Sequence, residues 1–312
     1  MNCSVIICTH NRAESLKKTI EAVMRQDYIL GTLEVLIIDN CSTDHTSKIA
    51  DMFLYDKHPI RYIYEDKPGL SHARNCGLCH AKGEIVIFID DDALPVNSDW
   101  ATRLAQVYTD PEICAAGGDL TPIWPNGRRP QWLHDFFMPP LGLTQFNYQN
   151  VALLTYPSYP WGANISYRKS CVQQFNGFSV ELGWSTAKKM PSGEETELNY
   201  KIEQAGKKIL YVPNAVVNHL ISEEKLTFRW LLNRADSQGR FDSWFDIRYR
   251  PRFYVLMNLF RQFANIAVHF LGVRLFFLLA NQKMQLYCRY NQARCMTYVK
   301  KLLWFLVGKR GE

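Results

Sequence analysis

The sequence predicts an α/β protein: a mostly parallel sheet flanked by helices, followed by a helical, amphipathic C-terminal extension. Two observations predict it. Through residues 1–92, short unbroken Val/Ile runs alternate with segments of helical spacing. Continuous apolar runs suit strands buried on both faces, and strand–helix alternation suits parallel crossovers. The second observation is charge. Residues 248–312 hold twelve Lys or Arg and one acid, Glu312, so the net charge of +6 is a tail at +11 set against a body at −5. A basic tail and an acidic body are physically different objects.

The elements follow in order. "SVIICT" is a strand, and "AESLKKTIEAVMRQ" places Leu16, Ile20, Val23 and Met24 at helical spacing. "LEVLIIDN" is the second strand. "STDHTSKIADMF" opens with capping residues and continues as a helix. "IRYIYED" alternates as a third strand, "GLSHARNCGLCHAKG" is a helix closed by Gly83, and "EIVIFIDDD" is the fourth strand. Beyond it, "WATRLAQVYTD" is a helix and "EICAAGGDL" leads into a strand. Residues 122–160 form a Pro- and aromatic-rich stretch, of a length that in compact proteins is usually functional. "EETELNYKIEQAG" is a helix stopped by Gly206, and "KKILYVP" is a strand.

In the tail, residues 263–280 approach membrane-spanning length, but Asn265, His269 and Arg274 are costly at a bilayer centre. Asn258, Arg261, Gln262, Asn265 and His269 recur as a polar stripe on an otherwise apolar helix. A helix lying in a membrane surface suits these residues better than one crossing it. Packing on the body or on a second copy stays open.

With 312 residues, 47% hydrophobic and 21% charged, the chain is globular, with enough core for one large or two modest domains. "MNCSVIICTHNR" does not read as a signal peptide. Nine scattered cysteines read as free thiols of a reducing cytoplasm. Cys76 and Cys79 form a C-x-x-C beside His72 and His80, but no second pair follows at zinc spacing. Basic residues interleaved with aliphatics argue against nucleic-acid binding.

Ligands of parallel sheets bind beyond the carboxyl ends of the strands. Those ends carry Thr9-His10-Asn11-Arg12, Asp39-Asn40, Glu65-Asp66-Lys67 and Asp90-Asp91-Asp92. If the strand continues through the acids, Asp90 and Asp92 share a face and Asp91 points away. That pair makes a hard oxygen site for Mg²⁺ or Mn²⁺; the alternative is a solvated turn. "SGEETEL" is either a capping box, with Ser192 as N-cap and Glu195 reaching back, or the position of a general base.

Six segments taken together, "SVIICTHNR", "VLIIDNCSTDHT", "GLSHARNCG", "IFIDDDALP", "WGANISYRK" and "GEETEL", resemble the family-2 glycosyltransferases, over roughly residues 3–240. The resemblance implies a GT-A-type, Rossmann-like fold and an inverting enzyme that uses a UDP-linked or similar nucleotide sugar with Mn²⁺ or Mg²⁺. It implies that Thr9, Asn11, Arg12, Asp39, Asn40 and Ser42 line the nucleotide pocket, with Asp44 shaping that loop. Lys67, Arg74 and Asn75 would lie near the donor. Asp90 and Asp91 fall in the donor-binding acidic segment. Asp92 would take the metal, with Asp90 and His219 as further candidates. Trp161, Gly162 and Asn164 match a loop between donor and acceptor. Glu195 stands at the base position. The family more often has Glu-Asp there, so Glu194 is the alternative.

The acceptor would be a glycan or a lipid-linked intermediate. Trp124 and Trp132 are candidate sugar platforms, and the loop 182–193, with Lys188 and Lys189, is a candidate lid. The expected division is 1–245 catalytic, with 1–120 for the nucleotide sugar and 121–245 for the acceptor, and 246–312 as tail. Residues 252–307 would meet a cytoplasmic membrane surface or a second copy, which makes the protein cytoplasmic or peripheral on the inner membrane face. Two other readings compete. One is a nucleotidyltransferase that makes nucleotide sugars, although "CTHNRAES" lacks its Gly-rich loop. The other is a non-catalytic carbohydrate- or membrane-binding module of the same fold.

Overall fold

Unbroken apolar runs that cannot face water on either side become the middle of a sheet. A computed structural model describes residues 1–53, 57–144, 146–185 and 190–307. Its elements begin β1 (Cys3–Thr9), α1 (Ala13–Met24), β2 (Leu33–Asn40), α2 (Thr46–Asp51), β3 (Ile60–Glu65), α3 (Leu70–His80) and β4 (Ile85–Asp90). They continue β5 (Ala93–Pro95), α4 (Trp100–Ala105), β6 (Ile113–Gly117), β7 (Leu120–Ile123), β8 (Ala152–Leu153), β9 (Ile165–Arg168), α5 (Lys169–Gln174), α6 (Glu194–Gln204), β10 (Lys208–Tyr211) and β11 (Val217–Leu220). Three long helices close the chain: α7 (Phe228–Tyr249), α8 (Arg252–Leu278) and α9 (Gln282–Leu306).

Contacts divide the chain into two units: Met1–Ile123, Gly142–Lys188 and Gly193–Leu220 in the first, and Trp124–Leu141, Lys189–Ser192 and Ile221–Glu312 in the second. The first contains an eight-stranded sheet in the order β3-β2-β1-β4-β9-β6-β10-β8 and a small sheet β5-β11-β7, among the described residues. Strands β3, β2, β1 and β4 are parallel. Only β9, antiparallel to β4 and β6, and the short β8 break that sense in the large sheet. The α/β architecture with a mainly parallel sheet is therefore the observed one. Val5, Ile6, Ile7, Val35, Leu36, Ile37, Ile87 and Phe88 are buried, which accounts for their unbroken apolar runs. Register places Cys8 beside Asp90 and Thr9 beside Asp39, so the polar ends of three strands come out at one edge.

The second unit is helical. Val255 and Leu259 of α8 pack with Tyr298, Val299 and Leu302 of α9. Gly239 of α7 lies where a Cβ would collide with the Arg294 carbonyl of α9, so the two helices approach closely only because that residue is glycine. Packing against α9 draws α7 into this unit, and the contacts divide near residue 220 rather than at the compositional change near 245.

Several expectations change. α3 ends at His80, before Gly83, and α4 stops at Ala105. Cys114 and Cys171 form a disulfide, so two of the nine cysteines are not free thiols; the antiparallel pairing of β6 with β9 brings them to a Cα separation of 5.8 Å. Cys76 and Cys79 are unbridged, and among the described residues no group of three or more His, Cys, Asp or Glu side chains is placed to hold an ion. Ser192 is not the cap of α6. Gly193 holds that position without a side-chain bond, and Ser192 Oγ meets Ser237 and Arg234 instead. Among the described residues, no helix is long and apolar enough to cross a membrane.

Candidate active site

The three consecutive acids do not continue the strand. β4 ends at Asp90, and the chain turns through Asp91 and Asp92. Asp90 and Asp92 therefore do not share a strand face. Each acid is drawn to a different set of partners. Asp90 Oδ1 lies 3.5 Å from Arg74 Nη2. Asp91 accepts from Thr9 Oγ1 at 2.7 Å and from Arg12 Nη1 at 3.0 Å. Asp92 accepts from the same Arg12 nitrogen at 2.9 Å and meets His219 Nε2 at 3.0 Å. Two guanidiniums and an imidazole thus separate three like charges. Burial pushes Asp91 up to about 7, with Arg12 opposing and Asp92 adding to the shift. Burial also works against the charge on Arg12, but Asp91 and Asp92 outweigh it and hold the guanidinium protonated.

Arg74 is the second centre. Helix α3 carries it under the sheet edge, between the rings of Phe88 and Phe178 at 5.9 and 5.5 Å from their centroids. Gly162 makes room for it, because a Cβ there would overlap the guanidinium. Arg74 Nη1 donates to Glu194 Oε1 at 2.6 Å, with both side chains buried. Glu195 is placed differently. Its Oε2 lies 3.8 Å from Arg74 Nη1 and is buried without a hydrogen-bond partner. Its side chain is 13% exposed, so it is largely desolvated. Burial and the adjacent Glu194 carboxylate push Glu195 up to about 7, against the pull of Arg74. The two glutamates differ in one respect that matters to chemistry: Glu194 is held in an ion pair, and Glu195 keeps an acceptor atom unused.

The nucleotide-side residues lie at the same edge, but most are engaged with one another. Asp39 is buried; Oδ1 accepts from the Ser42 amide at 2.9 Å and Oδ2 from Tyr62 Oη at 2.5 Å. Asn40 accepts from the Gly69 amide and donates to the Glu65 and Lys67 carbonyls. Asn11, at φ 53°, accepts from the Thr43 and Asp44 amides, and its own amide donates to Ser42 Oγ. Asp44 caps the start of α1 through the Ala13 amide. Asn75 bonds both backbone groups of Phe178. Lys67 is exposed.

The loop residues separate. Trp161 packs on the core. Asn164 is fully buried, accepts from Trp100 Nε1 at 3.0 Å and donates to the Asp119 and Ala215 carbonyls. Its side-chain amide is used inside the protein. In the helical unit, Trp132 lines a cavity of about 390 Å³ with Leu226, Phe228, Gln282, Gln285, Leu286 and Arg289. Trp124 is half-buried in the same unit. Of the expected lid, Leu182 accepts from Ser71 Oγ and Trp184 from the Leu70 amide, while Lys188 and Lys189 lie outside the described residues.

Three participants were not legible beforehand. Tyr62 orients Asp39, Trp100 orients Asn164, and exposed Trp184 stands beside His10 with ring centroids 5.6 Å apart. Tyr62 had a signal, since alternation in "IRYIYED" puts it on one strand face; the other two had none.

Comparison with known proteins bears on this geometry. A sequence profile described as glycosyl transferase family 2 matches residues 4–173. The glucosyl-dolichyl phosphate glucuronosyltransferase of Haloferax volcanii is 27% identical over 252 residues, covering 80% of this chain and 79% of that protein. The structure of the mannosyltransferase PcManGT from Pyrobaculum calidifontis, in complex with GDP-Man and Mn²⁺, superposes with a TM-score of 0.65 at 20% identity, over 97% of this chain and 87% of that one. Residues 1–349 of TarS from S. aureus, in complex with UDP-GlcNAc, give 0.56 at 18% identity, over 100% and 93%. These likenesses share the fold.

Proposed function

The chain belongs to glycosyl transferase family 2, and from that premise we propose an inverting enzyme that moves a sugar from a nucleotide-diphosphate donor to a hydroxyl of a glycan or lipid-linked acceptor. It is a glycosyltransferase by family. The observation that carries the finer reading is the split between Glu194 and Glu195. A general base works best with a pKa near the working pH and with an oxygen left open to the proton it takes. Glu195 has the raised pKa and an oxygen with no hydrogen-bond partner, whereas both Glu194 oxygens are engaged, one by Arg74 and one by the Gly193 amide.

The chemistry follows. The acceptor hydroxyl gives its proton to Glu195 as its oxygen attacks the anomeric carbon. The bond to the nucleoside diphosphate breaks on the opposite face, and the leaving group carries away the bonding pair. One displacement inverts the configuration, and no enzyme nucleophile is required. Arg12 and Arg74 hold positive charge at the edge where the diphosphate would lie. Glu194 fixes Arg74 and, by its own charge, raises the basicity of Glu195.

The residues present also suit a divalent cation. Asp92 and His219 meet at 3.0 Å at the sheet edge, a carboxylate and an imidazole that offer two ligands and leave the rest to phosphate oxygens. Asp92 is the first ligand in this reading and His219 the second; Asp90, turned to Arg74, is a donor contact. When bound, Mn²⁺ or Mg²⁺ would offset the charge of the departing diphosphate.

A UDP-linked donor is the starting choice, as for TarS; the GDP-Man in the other neighbour makes the base a question for experiment. Residues 1–120 are assigned to the donor, and Trp161, in the same unit as Glu195, to sugar contact. The name of the Haloferax volcanii relative contains a lipid-linked sugar. Such an acceptor would place this enzyme at a cytoplasmic membrane surface, met by residues 252–307. The direct test is a panel of nucleotide sugars, read by thermal shift and by release of nucleoside diphosphate, with and without Mn²⁺. Stabilisation and turnover that need both partners are expected; a panel with no donor bound in the presence of metal overturns the assignment.

A further inference from the structure

Helix α8 departs from a surface helix of a globular protein in the character of its exposed face. Such helices put apolar residues inward and polar residues out. Here Asn258 is buried and Gln262, Asn265 and His269 are half-buried, while Arg261 of the same stripe is exposed. Asn258 donates to Asp246 Oδ2 at 2.7 Å and to Tyr298 Oη at 3.0 Å, and Tyr298 donates to the same Asp246 oxygen. Gln262 donates to Asn258 one turn on, and the His269 ring lies 5.8 Å from Tyr287 of α9. The outward face is apolar along the whole helix. Phe253 is 75% exposed, Phe260 68% and Leu278 80%, with Val268, Leu271 and Phe277 exposed between them. At about 1.5 Å per residue the face runs for roughly 40 Å. Continuous exposed apolar patches of that extent mark contact surfaces.

We infer that the outward face of α8 docks in the plane of an anionic lipid surface, deepening the lipid-linked acceptor reading above, on which the choice of partner rests. Two further observations select the lipid. From Ile247 to Gly311 the sequence has no acid and twelve Lys or Arg. Arg261 and Arg274 are exposed beside the apolar face, where long side chains reach from apolar surface to phosphate headgroups. A second copy of this chain suits the face poorly. A two-fold contact sets a patch against itself, so its basic rim would meet a basic rim with no acid in the segment to pair. A spanning mode is also disfavoured, because no described helix is long and apolar enough.

The test uses the full chain, co-sedimented with phosphatidylcholine vesicles that contain or lack phosphatidylglycerol. Binding is expected to the anionic vesicles, weakening with salt, and to be lost in Phe260→Glu with Leu271→Glu. In Arg261→Glu with Arg274→Glu, the preference for anionic vesicles should fall while residual binding persists. Melting temperatures check that each variant is folded. No binding of the folded wild type to anionic vesicles overturns the inference. So does a dimer, seen by light scattering, that Phe260→Glu with Leu271→Glu converts to monomer. Donor turnover with a soluble acceptor, measured without vesicles, separates failure of this surface from failure of the glycosyltransferase reading.

Discussion

The sheet edge of the first unit and helix α8 of the second place polarity in opposite ways. At the sheet edge, an apolar floor ends in five carboxylates, and Asp90, Asp91, Asp92 and Glu194 each have a cation within 3.5 Å. Glu195 has a buried oxygen with no hydrogen-bond partner. In the helical unit, an acid and an amide sit inside and phenylalanines and leucines face out. Both arrangements cost stability if nothing is gained from them. Charges crowded at an edge repel, and apolar surface left in water forgoes the main driving force of folding. The difference lies in what each is poised to receive: the edge has pairs that a charged ligand can rearrange, and the helix has surface that only an apolar environment can satisfy.

The sharpest way to break this contrast is at that Glu195 oxygen. Glu195→Gln is expected to lower kcat by about 10²- to 10⁴-fold, with donor thermal shift unchanged. If Glu194→Gln, still folded, shows the same loss and Glu195→Gln does not, the roles of the two are reversed. Arg74→Ala tests whether the edge is held by pairing. It leaves Glu194 buried without its cation and should cost about 3–5 kcal/mol in chemical denaturation. Arg74→Lys should recover part of that. On the other side of the contrast, Asn258→Leu removes the donor that Asp246 and Tyr298 surround and should cost about 1–3 kcal/mol, read from the same denaturation curves. The smallest effect is Phe260→Glu, expected within about 0.5 kcal/mol of wild type because the outward ring supports no packing. A large loss there would show the face to be part of the folded core.

The sheet was legible because its signal is local: unbroken runs such as "VLIIDN" have one stable solution, burial on both faces. The edge location of Thr9, Asp39 and Asp90 followed from the same rule. Which acid faces which cation did not follow, because β4 ends at Asp90, before strand geometry could put Asp90 and Asp92 on one side. Asn164 and Asn75 looked like ligand residues in a motif, yet their amides are used to hold Trp100 and Phe178. Partners more than sixty positions away carry no trace in one sequence. The polar stripe of α8 was visible, and the covering of Asn258, Gln262, Asn265 and His269 was not, since periodicity shows that a helix has two faces without showing which one is covered.

The central claim is that Glu195 is the base, and the pH dependence of kcat/KM tests it most directly. A carboxyl raised to about 7 is protonated below that pH and cannot accept the acceptor's proton, so the rate should fall about tenfold per pH unit below it and level off above. The sign for stability is opposite. Folding favours the protonated form, so the contribution of this group is full below its ordinary value and lost as the pH rises through about 7. Asp91 titrates in the same range, so Glu195→Gln is the needed control. An inflection near 7 in the wild type that disappears from the residual rate of Glu195→Gln is the predicted result. An inflection that survives the substitution unchanged, or one at the ordinary carboxylate pKa, would contradict it.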